Sequence, residues 1–291
     1  MKKNFLLSTA HLEDGLWFRD EEDFITAMNY VAIEACSHPE VIVLAFILMS
    51  NHVHFILRCT RKEAIAFIIR FKRRYSMYLQ RKYGCKEFLR RNDLDAKEIP
   101  DDTEALERAI AYVQMNCVAA NICTHPEQYP WGTGSAFFNP ASIVGERIGS
   151  ISGRSCKRMM RSEFHHFPEG WVLDPRGFIL PQNYVAVRGV EAVFRSPKRM
   201  NFFLHNSSKA RRRLDSPEDQ RPSFRDQIIL AALPDLCQSL FRKGSYNELA
   251  SEEKTELLRQ VRFRFSANVN QIARVTGLSY PEVAQILQRP E

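Results

Sequence analysis

Paired cysteines and long apolar runs are what this chain of 291 residues lacks. Its seven cysteines (Cys36, Cys59, Cys85, Cys117, Cys123, Cys156 and Cys237) are odd in number and scattered, with no Cys-x-x-Cys pair. That absence argues against a structural zinc site and a disulfide framework, and predicts a reducing, cytoplasmic setting. No apolar run reaches the roughly 20 residues that span a bilayer. The first one breaks off before His11, Glu13 and Asp14, too short for a secretory core. A soluble protein is expected. What is present in quantity is apolar residues, 45% of the chain, enough for a sizeable core and two domains. A formal charge of +7 and a pI near 9.1 point to a polyanionic partner, nucleic acid before an anionic membrane surface.

The most informative stretch is Met49-Ser50-Asn51-His52-Val53-His54-Phe55-Ile56-Leu57. It follows the apolar run Val41 to Leu48, and Ser50-Asn51 is the only polar break, so the spacing predicts two strands joined by a tight hairpin. Residues two apart on a strand share a face, so His52 and His54 point together, away from Val53 and Phe55. Two imidazoles on a rigid strand form half of a divalent-metal site. A pair of satisfied histidines at a strand end gives the same pattern, so the reading needs a second element.

That element lies in Ala109-Ile110-Ala111-Tyr112-Val113-Gln114-Met115-Asn116. Asp101, Asp102 and Glu104 follow Pro100 as an acidic, capped first turn. Leu106, Ile110, Val113 and Cys117 recur at helical spacing as a buried stripe. Tyr112 and Asn116 are four apart and share another face with Arg108. A phenol, an amide and a guanidinium there either roof the core edge or do chemistry.

Together the two stretches resemble the single-tyrosine HUH transposases, in the REP-associated tyrosine transposase branch. Met49 to His54 matches the His-hydrophobic-His motif, and Tyr112 to Asn116 matches the nucleophile helix. Tyr129-Pro130-Trp131 and the entry Trp17 to Phe24 also fit. The likeness covers the first half of the chain. Cys117 and Ser50 stand where that family commonly has proline, and Cys85 to Arg91 matches its linker poorly.

In chain order, Phe5 to Ala10 reads as a strand continued at Leu16 to Phe18, Glu21 to Cys36 as an amphipathic helix, and Lys62 to Tyr83 as a second helix. Strand, helix, two strands and helix are the parts of a split β-α-β sheet. The expected fold class is α+β: a small antiparallel sheet with helices on one face, the ferredoxin-like HUH fold, followed by an all-α C-terminal module. The second helix carries Arg70, Lys72, Arg73 and Arg74 with interleaved Tyr75, Tyr78 and Tyr83. Its cations lack nearby acidic residues in sequence, which favours single-stranded nucleic acid over a solvated face. Residues 141–204 connect without a readable role; Phe164-His165-His166-Phe167 offers adjacent histidines, which diverge on any regular element. Residues 205–222, including Arg211 to Arg213, read as a polar linker. Phe224 to Leu240 and Ser251 to Phe265 are expected helices, the second capped by Ser251. Val269 to Leu287 resembles a helix-turn-helix, with Gly277 at the turn and Ser279, Tyr280, Glu282 and Gln285 placed for base contacts.

The expected domains are a catalytic unit (1–140), the connection (141–204), the linker (205–222) and a helical DNA-binding module (223–291). The resemblance implies metal-dependent cleavage and rejoining of single-stranded DNA through a 5′-phosphotyrosine intermediate. Tyr112 is the nucleophile, and Mg2+ or Mn2+ sits on His52 and His54 with the Asn116 amide completing the set. Phenols in water titrate near 10, so the metal or Arg108 must assist attack. The implied partner is a single-stranded hairpin with flanking duplex; monomer and homodimer stay open. The rival reading is a non-catalytic DNA-binding regulator that retains the fold. Removal of the chain from Ser223 onward is expected to leave the chemistry and weaken site choice.

Overall fold

A computed structural model describes residues 2–9, 16–84, 93–139, 145–208 and 224–288. The linker arginines Arg211 to Arg213 and all of Cys85 to Arg91 lie outside the described residues. The first strand, β1 (Lys3–Thr9), leads through a buried turn at Leu16 to Phe18 into helix α1 (Glu21–Ser37). Leu16 to Phe18 is not a strand: the Trp17 and Phe18 rings enter the core while their N–H groups donate to the Ser50 carbonyl. Then come β2 (Ile42–Met49), β3 (His52–Cys59), α2 (Arg61–Tyr83) and a fourth strand, β4 (Leu94–Ile99). The strand order is β2-β3-β1-β4 with every neighbouring pair antiparallel, so the motif strand β3 is an inner strand. This is the ferredoxin-like β-α-β-β-α-β arrangement.

Local chemistry explains most boundaries. Asp20 caps α1 by accepting from the Asp23 N–H at 2.9 Å. Thr60 and Glu63 form a reciprocal capping box at the start of α2. The β2–β3 hairpin turns on Ser50-Asn51 without glycine, and tertiary hydrogen bonds hold it: Trp17 N–H donates to Ser50 O at 2.8 Å. β4 escaped the sequence reading because Leu-Asp-Ala-Lys-Glu-Ile is a mostly exposed edge strand, with the charged residues that blunt such edges.

The two faces of β3 receive different layers. Phe55 meets Phe67 and Phe71 of α2, with ring centroids 5.6 Å apart in each pair. His54 points the other way and meets α3 (Thr103–Gln114), so α1 and α2 form one layer and α3 lies on the opposite face. A four-residue helix, α4 (Asn116–Ala119), follows the break at Met115.

Residues 145–208 are more than a connection. They contain α5 (Gly153–Met160), α6 (Val187–Phe194) and α7 (Pro197–His205), and their apolar side chains join the first core. Residues 131–133 and 185–186 cover the β2 edge through bridges Ile47 to Gly132 and Val43 to Val185. Gly132 is required there, because a Cβ would sit 2.8 Å from the Phe46 carbonyl oxygen. Asp174 to Phe178 forms a turn, closed by Gly177 N–H to Asp174 O. Asn29 of α1 fixes it, donating to Gly177 O and accepting from Ile179 N–H.

The C-terminal module has its own core, built from α8 (Asp226–Phe241), α9 (Ser251–Phe265), α10 (Val269–Thr276) and α11 (Tyr280–Gln288). Ser251 is the first residue of α9 and not its cap, which is Ala250. Gly277 takes the left-handed conformation between α10 and α11, with Ala273 and Val283 buried at the junction. The module rests on the first unit: the Gln227 amide donates to Phe18 O at 2.7 Å and to Ser50 Oγ at 3.3 Å. The two units therefore meet at the histidine hairpin.

Candidate active site and nucleic-acid surfaces

His52 and His54 are both nearly fully buried, and their ring centroids lie 4.9 Å apart. Each Nδ1 is engaged. His52 Nδ1 is 2.9 Å from Asn51 Oδ1, and His54 Nδ1 is 2.8 Å from Ser8 Oγ on the neighbouring strand. An amide oxygen only accepts, so His52 Nδ1 carries the proton and its Nε2 carries the lone pair in the neutral ring. This is the outer-partner arrangement that metal-binding imidazoles use to fix ring orientation. Tyr112 of α3 closes the group, its half-buried ring edge-on to His54 at a centroid distance of 5.7 Å. Burial drives the phenols of Tyr75 and Tyr129 far above their usual range, and they donate to Trp17 O and Leu48 O.

Asn116 sits one turn beyond Tyr112, buried, with its amide nitrogen donating to Tyr112 O at 2.9 Å and Val113 O at 3.0 Å. Any contribution to a cation would thus come from Oδ1. Among the described residues no cluster of three or more His, Cys, Asp or Glu forms a metal cage. Two imidazole nitrogens plus an amide oxygen are a donor set compatible with a divalent ion that keeps phosphate and water as further ligands.

Arg108 is exposed on the same helix, its Nε 3.1 Å from Glu104 Oε1. It lines a cavity of about 510 Å³ with Tyr112, Phe202, Phe203 and Asn206. The α7 residues were not found from sequence; only an exposed Phe202 beside a conspicuous tyrosine marks them, and that proximity is tertiary. Ser8 was missed for the same reason, since the β1–β3 register sets it opposite His54. Helix α3 is anchored from behind by its buried Glu107, which receives Arg199 of α7 at 2.8 Å.

The basic helix is resolved into two parts. Arg70, Arg73, Arg74 and Arg81 line a cleft of about 850 Å³ with Lys157, Arg158 and Arg161 from α5 and its end. The sheet and the α1–α2 layer lie between this cleft and the histidines. The acidic partners scarce in the helix's own sequence come from α1: Arg70 and Arg74 pair with buried Glu34, and Lys82 with Asp20 and Asp23. Tyr75, Tyr78 and Tyr83 bond to Trp17 O, Asp23 and Asp20, so they roof the core and are not offered for base stacking. Lys72 is half-buried outside the cleft lining; burial lowers its pKa against the raising field of Asp93.

In the C-terminal module Ser279 and Glu282 are tied together as the cap of α11, with Ser279 Oγ donating to Glu282 Oε2 at 2.6 Å. Tyr280 and Gln285 remain exposed on that helix. His165 is half-buried and bonded to Glu163 O and His166 is exposed, but their ring centroids lie 4.0 Å apart; the divergence expected on a regular element fails because this segment is neither helix nor strand. None of the described cysteines is in a disulfide. No helix among the described residues is long and apolar enough to cross a membrane.

No curated protein sequence matches the chain. One solved structure, described as "Structure of the REP associates tyrosine transposase bound to a REP hairpin", is similar at 13% identity, covering 60% of this chain and 88% of that one with a TM-score of 0.36. The family model described as "Transposase IS200 like" matches residues 18–93. That segment includes both histidines and the whole of α2.

Proposed function

We propose that the protein cleaves and rejoins single-stranded DNA through a covalent link to Tyr112. The observation that carries this reading is the approach of the Tyr112 ring to His54, itself beside His52, across the sheet–helix boundary. Bound at His52, His54 and Asn116, Mg2+ or Mn2+ would draw electron density from a non-bridging oxygen of the scissile phosphate. Tyr112 Oη attacks phosphorus and forms the new P–O bond. The bond from phosphorus to the 3′ oxygen breaks, and the departing oxygen leaves as a 3′-hydroxyl once it takes up a proton. The 5′ phosphate stays on tyrosine, and attack by a second 3′-hydroxyl reverses the step. Arg108, one turn away, neutralises phosphate charge at the cavity mouth, and exposed Phe202 offers a face on which a base can stack.

The basic cleft takes the phosphate backbone on the far side of the sheet, and α11 reads duplex flanks through Tyr280 and Gln285. Cysteines outside any disulfide among the described residues suit a reducing, cytoplasmic setting. The test is incubation of the full-length protein with end-labelled, hairpin-bearing single strands and Mn2+, followed by denaturing electrophoresis. A DNA–protein adduct lost in EDTA is expected. Binding without any adduct, with every hairpin strand tried, would leave the regulator reading.

A further inference from the structure

The contact between the two units encloses a space that the reading above leaves unused. A cavity of about 350 Å³ has Asn51 and His52 of the hairpin on one side and Asn270, Gln271 and Arg274 of α10 on the other. Gln227 holds the two sides together from a neighbouring position, through its bonds to Phe18 O and Ser50 Oγ. The α10 wall is rigid. Arg274 is bidentate on buried Asp226, at 2.8 and 3.2 Å, and Gln271 donates to the same carboxylate at 3.1 Å. With that carboxylate neutralised, the remaining lining joins amides and an imidazole to the apolar Met49, Ala120 and Ile122, and Asn270 is exposed at its rim.

This volume matches a pocket for one small ligand, at the lower end of the usual range of about 300–1,000 Å³, and excludes a duplex. It opens on His52, two ring-to-ring steps from Tyr112 through His54. We propose that the cavity takes a single unpaired base of the DNA strand beside the bond that Tyr112 attacks, read by the Asn270 amide. The proposal rests on the DNA-cleaving reading above. An amide side chain offers a donor and an acceptor side by side, which pair with adenine N7 and N6, so adenine is the base it selects. The C-terminal module then forms one wall of the substrate site, and its attachment through Gln227 is what keeps the pocket assembled.

The experiment uses full-length protein and fluorescein-labelled dA12 and dT12, titrated across a series of salt concentrations. Asn270→Ala is expected to weaken dA12 binding about tenfold, the scale of one good base contact, and dT12 less than twofold. Because an amide releases no counterion, the slope of log affinity against log salt stays unchanged. Gln227→Ala, which opens the pocket with Asn270 intact, gives the same pattern. Arg73→Ala, in the distant basic cleft, weakens both strands alike and makes the slope shallower by about one. Equal loss on dA12 and dT12, or none, for Asn270→Ala overturns the pocket while leaving DNA binding standing. Failure of the wild-type protein to bind either strand overturns the DNA reading itself. Unchanged thermal melts are expected for Asn270→Ala, whose side chain is exposed.

Discussion

The two faces of β3 are one residue apart in sequence and opposite in construction. On one, Phe55 stacks with Phe46 and meets Phe67 and Phe71, a dry aromatic layer in which Tyr75 continues the stack. On the other, His54 is held by Ser8 and faced by Tyr112. The period of two along a strand lets eight residues serve both a core and the proposed site, and makes each rigid for the benefit of the other. A histidine pair on a loop would have to be ordered at the moment of binding; here the aromatic layer has already fixed it.

The largest expected effect breaks only the reactive face. Tyr112→Phe keeps the ring against His54 and removes the hydroxyl proposed to attack phosphorus, so adduct formation should fall by roughly 10³-fold or more while hairpin affinity holds. Adduct at the wild-type rate would transfer the attack to water or another residue. A paired substitution then separates the faces directly. Phe55→Ala should cost about 3–5 kcal/mol of stability, seen in urea melts, because a fully buried ring leaves a cavity. His54→Ala should instead abolish Mn2+ binding measured by paramagnetic resonance and leave the urea midpoint within a small margin. Equal destabilisation by both would mean that the histidine is a packing residue.

Ser8→Ala sharpens the comparison at lower amplitude. Loss of an outer partner typically weakens metal binding about 10–100-fold, and that is the expected drop in Mn2+ affinity. No change would make the Ser8 contact incidental. The smallest effect belongs to the α1–α2 layer. Burial pushes the Asp20 carboxyl up, but Lys82, Tyr83 and the Asp23 N–H outweigh it and hold its pKa below the ordinary carboxylate value. A depressed folded pKa contributes stability above the unfolded value near 4 that is lost as pH falls through the folded value. Lys82→Met should therefore lower the urea midpoint at pH 7 and flatten its decline between pH 5 and pH 2. A decline as steep as wild type would remove Asp20 from acid unfolding.

Much of the site was legible because its signals are local. The His-Val-His alternation, the Asp102 cap and the Tyr112-Asn116 spacing are each set by the geometry of one element, and all three appear in the structure. The roles assigned to Tyr75, Tyr78 and Tyr83 were misread because their partners, Trp17, Asp20 and Asp23, lie more than 50 positions away. Residues 145–208 gave no periodic signal because their helices are short and their packing is against the sheet edge and α3.

The sequence by itself determined which residues lie on which face of each strand and helix, since dihedral periodicity and capping are properties of neighbours. Only the tertiary structure decided that Ser8 meets His54, that α7 walls the tyrosine cavity, and that the C-terminal module closes over the Ser50-Asn51 turn. Those contacts join positions separated by 46 to 177 residues or come from different elements, and strand register and buried polar pairing select among many arrangements that the local pattern allows equally.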